Sequence, residues 1–318
     1  MSPARVAVVW NPSKTDGDEL RAAFADAAQQ LGPESDASAL EPMWLETTVD
    51  DPGRGAAERA IEAGCGLVVA AGGDGTVRAV AEGVAGTEAE LGIVPLGTGN
   101  LLARNLDVPL GDPAAAFARA LGGEARAIDM GWVDTEGDDG DRTHGFAVMV
   151  GFGIDAQMLA ETDDELKERA GWLAYVEAMG RALSASEVVD FELALDDADA
   201  RPASGHTLLI GNCGTIQGGV TLLSDADPAD GRLDLLLVSA EGVGEWLGTL
   251  KTMVWDNGVK RFFAGSETAE SGDGAEHLSA SRVRVELPAP HAFEVDGDEV
   301  GAVRAFTARL DAGALRVR

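Results

Sequence analysis

The N-terminal part of the chain alternates short apolar runs with segments of helical pattern, and this alternation limits the folds open to it. The apolar runs lie at Val6–Trp10, Met43–Leu45, Leu67–Ala71 and Leu91–Val94, and the helical patterns at Glu19–Leu31, Ala56–Ala63 and Val77–Ala85. This rhythm predicts an α/β domain built on a parallel sheet. Such sheets bind ligands at the carboxyl ends of their strands, so the loops after the apolar runs are the candidate site.

The loop Gly72-Gly73-Asp74-Gly75-Thr76 follows a strand and opens a helix. Glycines let the backbone approach an oxyanion, and the first N–H groups of a helix point at it. We expect Thr76 to act as a hydroxyl donor and as the helix cap. Asp74 is unsuited to a bare anion site, so we expect its carboxylate to serve Mg²⁺ or a hydroxyl held beside the phosphates. Taken alone, the loop is also consistent with a plain glycine-rich turn.

A second loop repeats this arrangement, and a third loop leaves the same edge of the sheet. Gly97-Thr98-Gly99-Asn100 follows the last of the four apolar runs, and Asn11-Pro12-Ser13-Lys14 follows the first. Asn11 can donate or accept a hydrogen bond, and Lys14 can meet a phosphate. Any one of these loops could be a plain turn, but three at one sheet edge predict a nucleotide phosphate site.

From about Trp132 the sequence becomes rich in strand patterns separated by turn signals, which predicts an antiparallel β-rich domain. Strand patterns lie at Phe146–Val150, Val188–Leu195, Thr207–Gly211, Leu233–Val238, Arg282–Leu287 and Phe293–Val295, and a long helical stretch lies at Glu161–Ser184. We predict a first domain over residues 1–131 and a second over 132–305. Residues 306–318 are expected to form a strand that returns to the first domain.

Charge excludes one class of function. The chain has 55 acidic and 24 basic residues, a formal net charge of -31, and no basic cluster that could contact nucleic acid phosphates. We interpret the acidity as a solubility or salt-tolerance trait. The two cysteines, Cys65 and Cys213, are far apart, and no apolar run approaches the length of a membrane span, so we expect a cytoplasmic protein, at most peripheral at the inner membrane face.

The order and spacing of the loops resemble the diacylglycerol kinase catalytic-domain family, which includes sphingosine kinases and bacterial lipid kinases. NAD kinases share the Gly-Gly-Asp-Gly loop and the architecture. The resemblance covers nearly the whole chain and implies an N-terminal α/β domain that binds ATP and a C-terminal β-sandwich that shapes a lipid site. The cofactor-binding residues that it implies are Asn11, Pro12, Lys14, Thr48, Gly72, Gly73, Asp74, Gly75, Thr76, Gly97, Thr98, Gly99 and Asn100.

The resemblance also implies two catalytic residues, Asp74 and Asp298. Asp298 in Asp296-Gly297-Asp298 matches the acidic residue that ends the family's Asp-Gly-Glu motif and serves as general base. Aspartate is shorter than glutamate by one methylene, and the neighbouring Glu299 is the alternative base. Without the resemblance, Asp-Gly between apolar runs indicates a simple hairpin turn.

A structural Mg²⁺ is implied in the segment Asp227–Arg232. Asp230 would bind through its side chain, and Asp227 and Arg232 through their carbonyl oxygens; an Asp-Gly turn without metal is the alternative. Leu101 and Val148 stand where the family often has an acidic residue and an asparagine. These departures keep open the interpretation that activity has been lost.

We therefore predict an ATP- and Mg²⁺-dependent lipid kinase that phosphorylates a hydroxyl of a diacylglycerol-like or long-chain lipid at the membrane surface. The alternatives are a kinase of a soluble alcohol or dinucleotide on the same scaffold, and a nucleotide- or lipid-binding protein without activity. The expected partners are the lipid substrate and a second copy of the chain, with no nucleic acid.

Overall fold

The structure, a computed structural model, describes residues 5–31, 41–138, 140–153, 188–216, 221–239 and 275–318. The predicted helix over Glu161–Ser184 lies outside the described residues.

Strands and helices alternate through the first part of the chain, as predicted. The elements are β1 (Val6–Trp10), α1 (Gly17–Gln30), β2 (Met43–Glu46), α2 (Arg54–Glu62), β3 (Leu67–Gly72), α3 (Asp74–Val84), β4 (Glu90–Pro95), α4 (Leu101–Asn105) and α5 (Pro113–Gly122). Every residue of β1 and β3 is buried. Strands that are apolar on both faces suit the centre of a parallel sheet covered by helices.

The strand order β4-β3-β1-β2 brings the predicted site loops to one edge. All three pairings are parallel, and Val8 of β1 is level with Trp44 of β2 and Val69 of β3. The loops that follow the four strands therefore leave the sheet on the same side. From β1 the chain places β2 on one side and then β3 and β4 on the other, so the strand order reverses between β1 and β3. Open α/β sheets have their ligand crevice at such a point.

The remainder of the described chain is mostly antiparallel β-structure, again as predicted. Its strands are β5 (Arg126–Gly137), β6 (Arg142–Phe146), β7 (Met149–Phe152), β8 (Val189–Leu195), β9 (Arg201–Gly205), β10 (Thr207–Gly211), β11 (Leu233–Val238), β12 (Ala275–Ala280), β13 (Arg282–Val295) and β14 (Asp298–Val317). They enclose a second apolar core, in which the rings of Phe293 and Phe306 lie 4.5 Å apart between centroids.

Two predicted strand boundaries are wrong. The predicted strand Phe146–Val150 is interrupted, because β6 ends at Phe146 and β7 begins at Met149. The intervening amides donate to a buried carboxylate instead of to a neighbouring strand. The predicted strands Arg282–Leu287 and Phe293–Val295 form one continuous β13, whose register against β14 shifts across an irregularity between them.

Strand β14 links the two parts of the molecule. In the second core β14 pairs antiparallel with β13 and β5. Near its end, Val317 pairs in parallel with Leu91 of β4. Arg318 is buried, and its Nε donates to Glu90 Oε2 at 2.5 Å while its Nη1 donates to the Leu121 carbonyl at 3.0 Å. Strand β5 runs without a break across position 131, and the exact domain limits stay a prediction.

Candidate active site

Two of the glycine loops are in direct contact. A Cβ added at Gly97 would lie 2.7 Å from the Cα of Gly73, so a side chain at position 97 would push the loops apart. A Cβ at Gly73 would lie 3.9 Å from the Cε of Lys14, which brings the loop after β1 to the same place. The structure therefore brings together the three loops that the sequence placed at this edge.

Helix α3 begins beneath this contact, and its start differs from the prediction in one respect. Its N-cap is Gly73, which has no side chain to bind the N–H groups of the first turn. Thr76 lies inside the helix, is buried, and packs against Gly72, where a Cβ would lie 2.6 Å from the Cβ of Thr76. The prediction that Thr76 caps the helix is wrong. The uncapped first turn, including Gly75, is suited to bind an anion.

Asp74 joins the two glycine loops. Its Oδ2 accepts the Asn100 N–H at 2.8 Å and its Oδ1 accepts the Leu101 N–H at 2.5 Å. Burial raises the pKa of Asp74, the two N–H bonds oppose this shift, and the charges of Asp296 and Asp298 reinforce it. The carboxylate thus fixes the start of α4 and adds negative charge beside the two glycine loops.

The second loop is also held by its own asparagine. Asn100 has a φ of 48°, in the left-handed region, which asparagine tolerates better than most residues. Its Oδ1 accepts the Gly97 N–H at 2.9 Å and its Nδ2 donates to the Gly97 carbonyl at 2.7 Å. Thr98 is exposed at the tip, and Gly99 is in close contact with Asp74, because a Cβ there would lie 2.6 Å from Asp74 Oδ2.

The loop after β1 is ordered by Asn11. The Asn11 Oδ1 accepts both the N–H and the hydroxyl of Ser13, at 2.9 and 2.8 Å, and the Asn11 carbonyl accepts the Lys14 N–H at 3.1 Å. Pro12 and Lys14 are exposed. Asn11 therefore shapes the loop, and the Lys14 ammonium is accessible to a charged ligand.

Thr48 lies after the carboxyl end of β2, in the turn that leads to α2. Its Oγ1 accepts the Asp51 N–H at 3.0 Å and its N–H donates to the Asp51 carbonyl at 2.9 Å. The side chain is exposed, whereas that of Thr47 is buried. Thr48 thus belongs to the same sheet edge.

The Asp-Gly segment forms the predicted hairpin between β13 and β14. Asp296 and Gly297 have φ values of 49° and 84°, and Val295 pairs with Asp298 across the turn. Positive φ at both central residues is the signature of the two-residue type I′ turn, in which Asp-Gly is favoured. The second Asp of the motif is therefore the first residue of β14.

The first Asp of this turn has a role that sequence reasoning missed. Asp296 is buried, and its carboxylate accepts the N–H groups of Ala147, Val148 and Met149, each at 2.9 Å. Burial raises the pKa of Asp296, while the charge of Arg78 and the three N–H bonds oppose that shift. Val148 thus binds Asp296 through its backbone N–H, a contact that does not depend on the side chain at this position.

Asp298 lies over the first turn of α3. Its side chain is 50% exposed, and its Oδ2 lies 2.9 Å from Nη2 of Arg78. A Cβ at Gly75 would lie 3.1 Å from the same oxygen, which shows how closely the hairpin approaches the phosphate loop. Successive strand residues point to opposite faces, so Glu299 points away from the face that carries Asp298. This geometry places the Asp298 carboxylate, and not that of Glu299, against the first turn of α3.

The turn before β11 carries the residues predicted to bind Mg²⁺. The Oδ1 atoms of Asp227 and Asp230 each accept the N–H two residues further along the chain, at 3.0 and 2.9 Å. The guanidinium of Arg232 donates to the hydroxyl and carbonyl of Ser279 on β12. A guanidinium has no acceptor atom, so the backbone carbonyl is the only group that Arg232 can offer a cation.

The charge around this turn fits a hard cation. Burial, followed by the charges of Asp230 and Asp225, raises the pKa of Asp234 to about 6. A divalent cation would neutralise that excess of negative charge. Across the part of the chain that the structure describes, no three His, Cys, Asp or Glu side chains form a metal-binding group. A Mg²⁺ ion at this turn would therefore depend on Asp230, on carbonyl oxygens and on water.

Asp129 joins this turn to β5 and β14, a role that sequence reasoning also missed. It is buried in β5, its Oδ2 accepts the Gly231 N–H and its Oδ1 accepts the Gly313 N–H, both at 2.7 Å. Its own N–H donates to the Pro228 carbonyl at 2.7 Å. A single acid between the buried residues Ile128 and Met130 is a sequence signal that indicates such a structural role.

Comparison with known proteins agrees with this geometry. Residues 5–133 match the profile of the diacylglycerol kinase catalytic domain. Residues 148–318 match that of the YegS C-terminal NAD kinase beta sandwich-like domain. The chain belongs to the diacylglycerol kinase family. The predicted family, its two-part architecture and its class of enzyme, a lipid kinase and hence a phosphotransferase, are confirmed.

Individual relatives extend over most of the chain. A Pseudomonas aeruginosa protein named "Probable lipid kinase YegS-like" is 34% identical over 267 residues, covering 83% of this chain and 81% of that protein. A Mycobacterium tuberculosis diacylglycerol kinase is 28% identical over 239 residues, covering 75% and 72%. The crystal structure of a diacylglycerol kinase from Bacillus anthracis has a TM-score of 0.69 at 18% identity, covering 100% and 97%, and so shares the fold.

The structure also bears on membrane association in one respect. Among the described residues, no helix combines the length and apolarity needed to cross a bilayer.

Proposed function

We propose that this chain transfers the γ-phosphate of ATP to a hydroxyl of a diacylglycerol-like or long-chain lipid. The observation that supports this most directly is the meeting of two glycine loops at Gly73 and Gly97, with Asp298 placed over the adjacent helix start. Phosphoryl transfer requires mainly alignment of the reactants and neutralisation of charge. Both requirements can be met by this arrangement.

The nucleotide phosphates would bind at the uncapped first turn of α3. The N–H groups there and the positive end of the helix dipole favour an anion, and the exposed ammonium of Lys14 adds a full positive charge beside Gly73. Asp74 would order the second loop through its bonds to Asn100 and Leu101, so its role is to position the backbone that receives the nucleotide.

Asp298 would accept the proton of the lipid hydroxyl. As the O–H bond breaks, the hydroxyl oxygen forms a bond to the γ-phosphorus, the bond to the β-bridging oxygen breaks, and ADP leaves. The carboxylate is half exposed, unlike Asp296 and Asp129, so an incoming hydroxyl can reach it. A positioned carboxylate is suited to general-base catalysis, which contributes roughly 10² to 10⁴ in rate.

A structural Mg²⁺, when bound at the turn before β11, would supply positive charge that offsets the charge of nearby carboxylates. Asp230 would hold it through its side chain, and Asp227 and Arg232 through their carbonyl oxygens. The structural arrangement of Asp129 supports this proposal, because it ties the turn that contains these ligands to β5 and β14.

The lipid substrate would be met at a membrane surface. Its hydroxyl lies at the boundary between the acyl chains and water, so the enzyme need reach only the headgroup level. The net charge of -31 opposes approach to an anionic bilayer, and we expect faster turnover on neutral vesicles or at raised salt.

The test is phosphate transfer from γ-labelled ATP with Mg²⁺ to a panel containing diacylglycerol, a long-chain amino alcohol, a soluble polyol and NAD. We expect product from a lipid, a loss of turnover of about 10² to 10⁴ in Asp298→Asn, and little change in Glu299→Gln. Apparent ATP affinity should stay nearly constant in both variants. Transfer only to the soluble acceptors, or full activity in Asp298→Asn, would contradict the proposal.

A further inference from the structure

Arg78 connects helix α3 to the hairpin that carries Asp298. Its Nη1 donates to the Val295 carbonyl at 2.5 Å, and its Nη2 lies 2.9 Å from Asp298 Oδ2. Val295 and Asp298 pair with each other across the two-residue turn. One guanidinium therefore binds both strands of the hairpin at its tip.

The contact depends on the geometry of arginine. A guanidinium is planar and presents parallel N–H donors, so it can bind a carbonyl and a carboxylate at once in a fixed orientation. The Arg78 side chain is only 17% exposed, which limits its alternative conformations and weakens competition from water. A lysine would keep the charge but would lose the paired donors.

The position of Arg78 on α3 relates the hairpin to the phosphate loop. Asp74 and Arg78 are four residues apart in the same helix and so lie on the same face. Asp74 fixes the second glycine loop from the first turn, and Arg78 fixes the hairpin from the next. The helix thus sets the spacing between the loops and Asp298.

Other charged groups also face Arg78. Its charge lowers the pKa of the buried Asp296 and of Glu82 on the next turn of α3, in each case against a larger effect of burial. It also adds to the burial that lowers the pKa of His144 on β6. Removal of Arg78 therefore perturbs more than one contact, and a test must separate positioning from a general loss of stability.

We infer that Arg78 is a positioning residue for phosphoryl transfer, which holds the Asp298 carboxylate over the start of α3 by binding both sides of the Asp-Gly turn. This inference rests on the proposed function for its catalytic consequence. Arg78 engages Oδ2 of Asp298, and within the described chain no hydrogen bond engages Oδ1, so Oδ1 is the oxygen available to the hydroxyl proton.

The first experiment compares Arg78→Gln, Arg78→Lys, Asp298→Asn and the double variant Arg78→Gln/Asp298→Asn, with Arg304→Gln as the matched control. Arg304 lies on β14, the strand that carries Asp298, and like Arg78 it pairs with an acid, Asp138, but both of these side chains are mostly exposed. The assay measures kcat and the KM for ATP with the lipid that the wild type phosphorylates.

We expect Arg78→Gln to lower kcat by about 30-fold or more with the KM for ATP changed less than about threefold, and Arg78→Lys to recover much of the loss. In the Asp298→Asn background, Arg78→Gln should lower kcat by less than a further factor of about three, because the carboxylate that Arg78 positions is absent. Arg304→Gln should stay within about twofold of the wild type. Losses that multiply in the double variant, or a KM effect larger than the kcat effect, would overturn the inference.

The second measurement does not require activity. Hydrogen exchange of the peptide covering residues 293–300 should become about tenfold faster in Arg78→Gln, because the hairpin tip loses its anchor, and should not change in Arg304→Gln. If Arg78→Gln leaves the exchange of this segment unchanged, Arg78 does not position the hairpin. Lack of phosphate transfer by the wild type would contradict the proposed function, and the exchange result would still decide the inference.

Discussion

Replacement of Asp296 tests whether a buried carboxylate, in addition to the turn sequence, fixes the hairpin beneath Asp298. In Asp296→Asn the amide oxygen can take the place of Oδ1, which accepts the N–H groups of Val148 and Met149. The amide nitrogen must then face the N–H of Ala147, which is a contact between two donors.

The size of the effect follows from these contacts. One buried N–H without an acceptor costs about 1–3 kcal/mol, so Asp296→Asn should lower the free energy of unfolding by that amount. Asp296→Ala leaves three such groups and places an alanine at a φ of 49°, which asparagine tolerates and alanine does not. Three N–H groups at about 1–3 kcal/mol each, with about 1–2 kcal/mol of backbone strain, give an expected loss of at least about 4 kcal/mol, which is comparable with the whole stability of many domains.

Asp196 provides the matched control. It has a φ of 52° and also accepts three hydrogen bonds, from the N–H and hydroxyl of Ser281 and the N–H of Arg282, but it is exposed. All three bonds reach a single oxygen, Oδ1, which an asparagine retains. Asp196→Asn should therefore cost less than about 0.5 kcal/mol.

The assay is urea unfolding followed by tryptophan fluorescence and circular dichroism at pH 7, with the four proteins measured together. The reasoning predicts the order of loss Asp296→Ala, then Asp296→Asn, then Asp196→Asn. It is refuted if Asp296→Asn is as stable as the wild type, or if the buried and exposed asparagine variants lose the same free energy.

Three further predictions concern other parts of the molecule. Gly97→Ala should raise the KM for ATP by about tenfold and lower the free energy of unfolding by about 1–3 kcal/mol, because its Cβ would lie 2.7 Å from the Cα of Gly73 and the loops must move apart; an unchanged KM would remove this contact from the nucleotide site. Burial and neighbouring carboxylates raise the pKa of Asp234 from 3.8 to about 6. The free energy of unfolding should therefore fall as pH rises through that interval. Asp234→Asn should abolish about 1 kcal/mol of that fall, as measured by urea titrations across pH 4–7. Arg318→Met should cost about 1–3 kcal/mol in urea unfolding, because Glu90 keeps only the more exposed Arg316 as its partner; a loss no larger than that of an exposed ion pair would contradict this.

The parallel half of the fold could be predicted from sequence because its strands carry an unambiguous signal. Strands β1 and β3 are apolar at nearly every position, as expected for strands buried on both faces. The helical pattern predicts a start of α3 at Val77, three residues late, because the first turn contains Asp74, Gly75 and Thr76 and so lacks the apolar periodicity that marks a helix.

The loops of the candidate site could be predicted for a related reason. Each follows a strand directly, and parallel strands bring their carboxyl ends to one edge, so local sequence was sufficient to group Asn11, Gly73 and Gly97. Their contacts required no knowledge of the second half of the chain.

The groups that join the two halves could not be predicted in this way. Arg78 and Val295 are 217 positions apart, and Asp296 meets amides almost 150 positions earlier. No local pattern specifies such pairs, because they depend on how β7, β13 and α3 come together. An arginine on a helix and an aspartate in a turn are both ordinary surface residues when considered alone.

The acids around the cleft divide into two groups by what holds them, and the division itself is testable. Asp74, Asp129 and Asp296 each use both oxygens to accept backbone N–H groups, so they cannot exchange partners unless the chain moves. Asp298 is held by a side chain at one oxygen and is half exposed. A general base must gain and release a proton in every turnover. Asp298 has an accessible oxygen for this, whereas both oxygens of the other three acids are occupied by backbone N–H groups. Substitution of the first three acids should therefore lower the free energy of unfolding, whereas Asp298→Asn should lower turnover and leave that free energy within about 0.5 kcal/mol of the wild type. A stability loss in Asp298→Asn equal to that in Asp296→Asn would place Asp298 in the structural group and remove the reason for regarding it as the base.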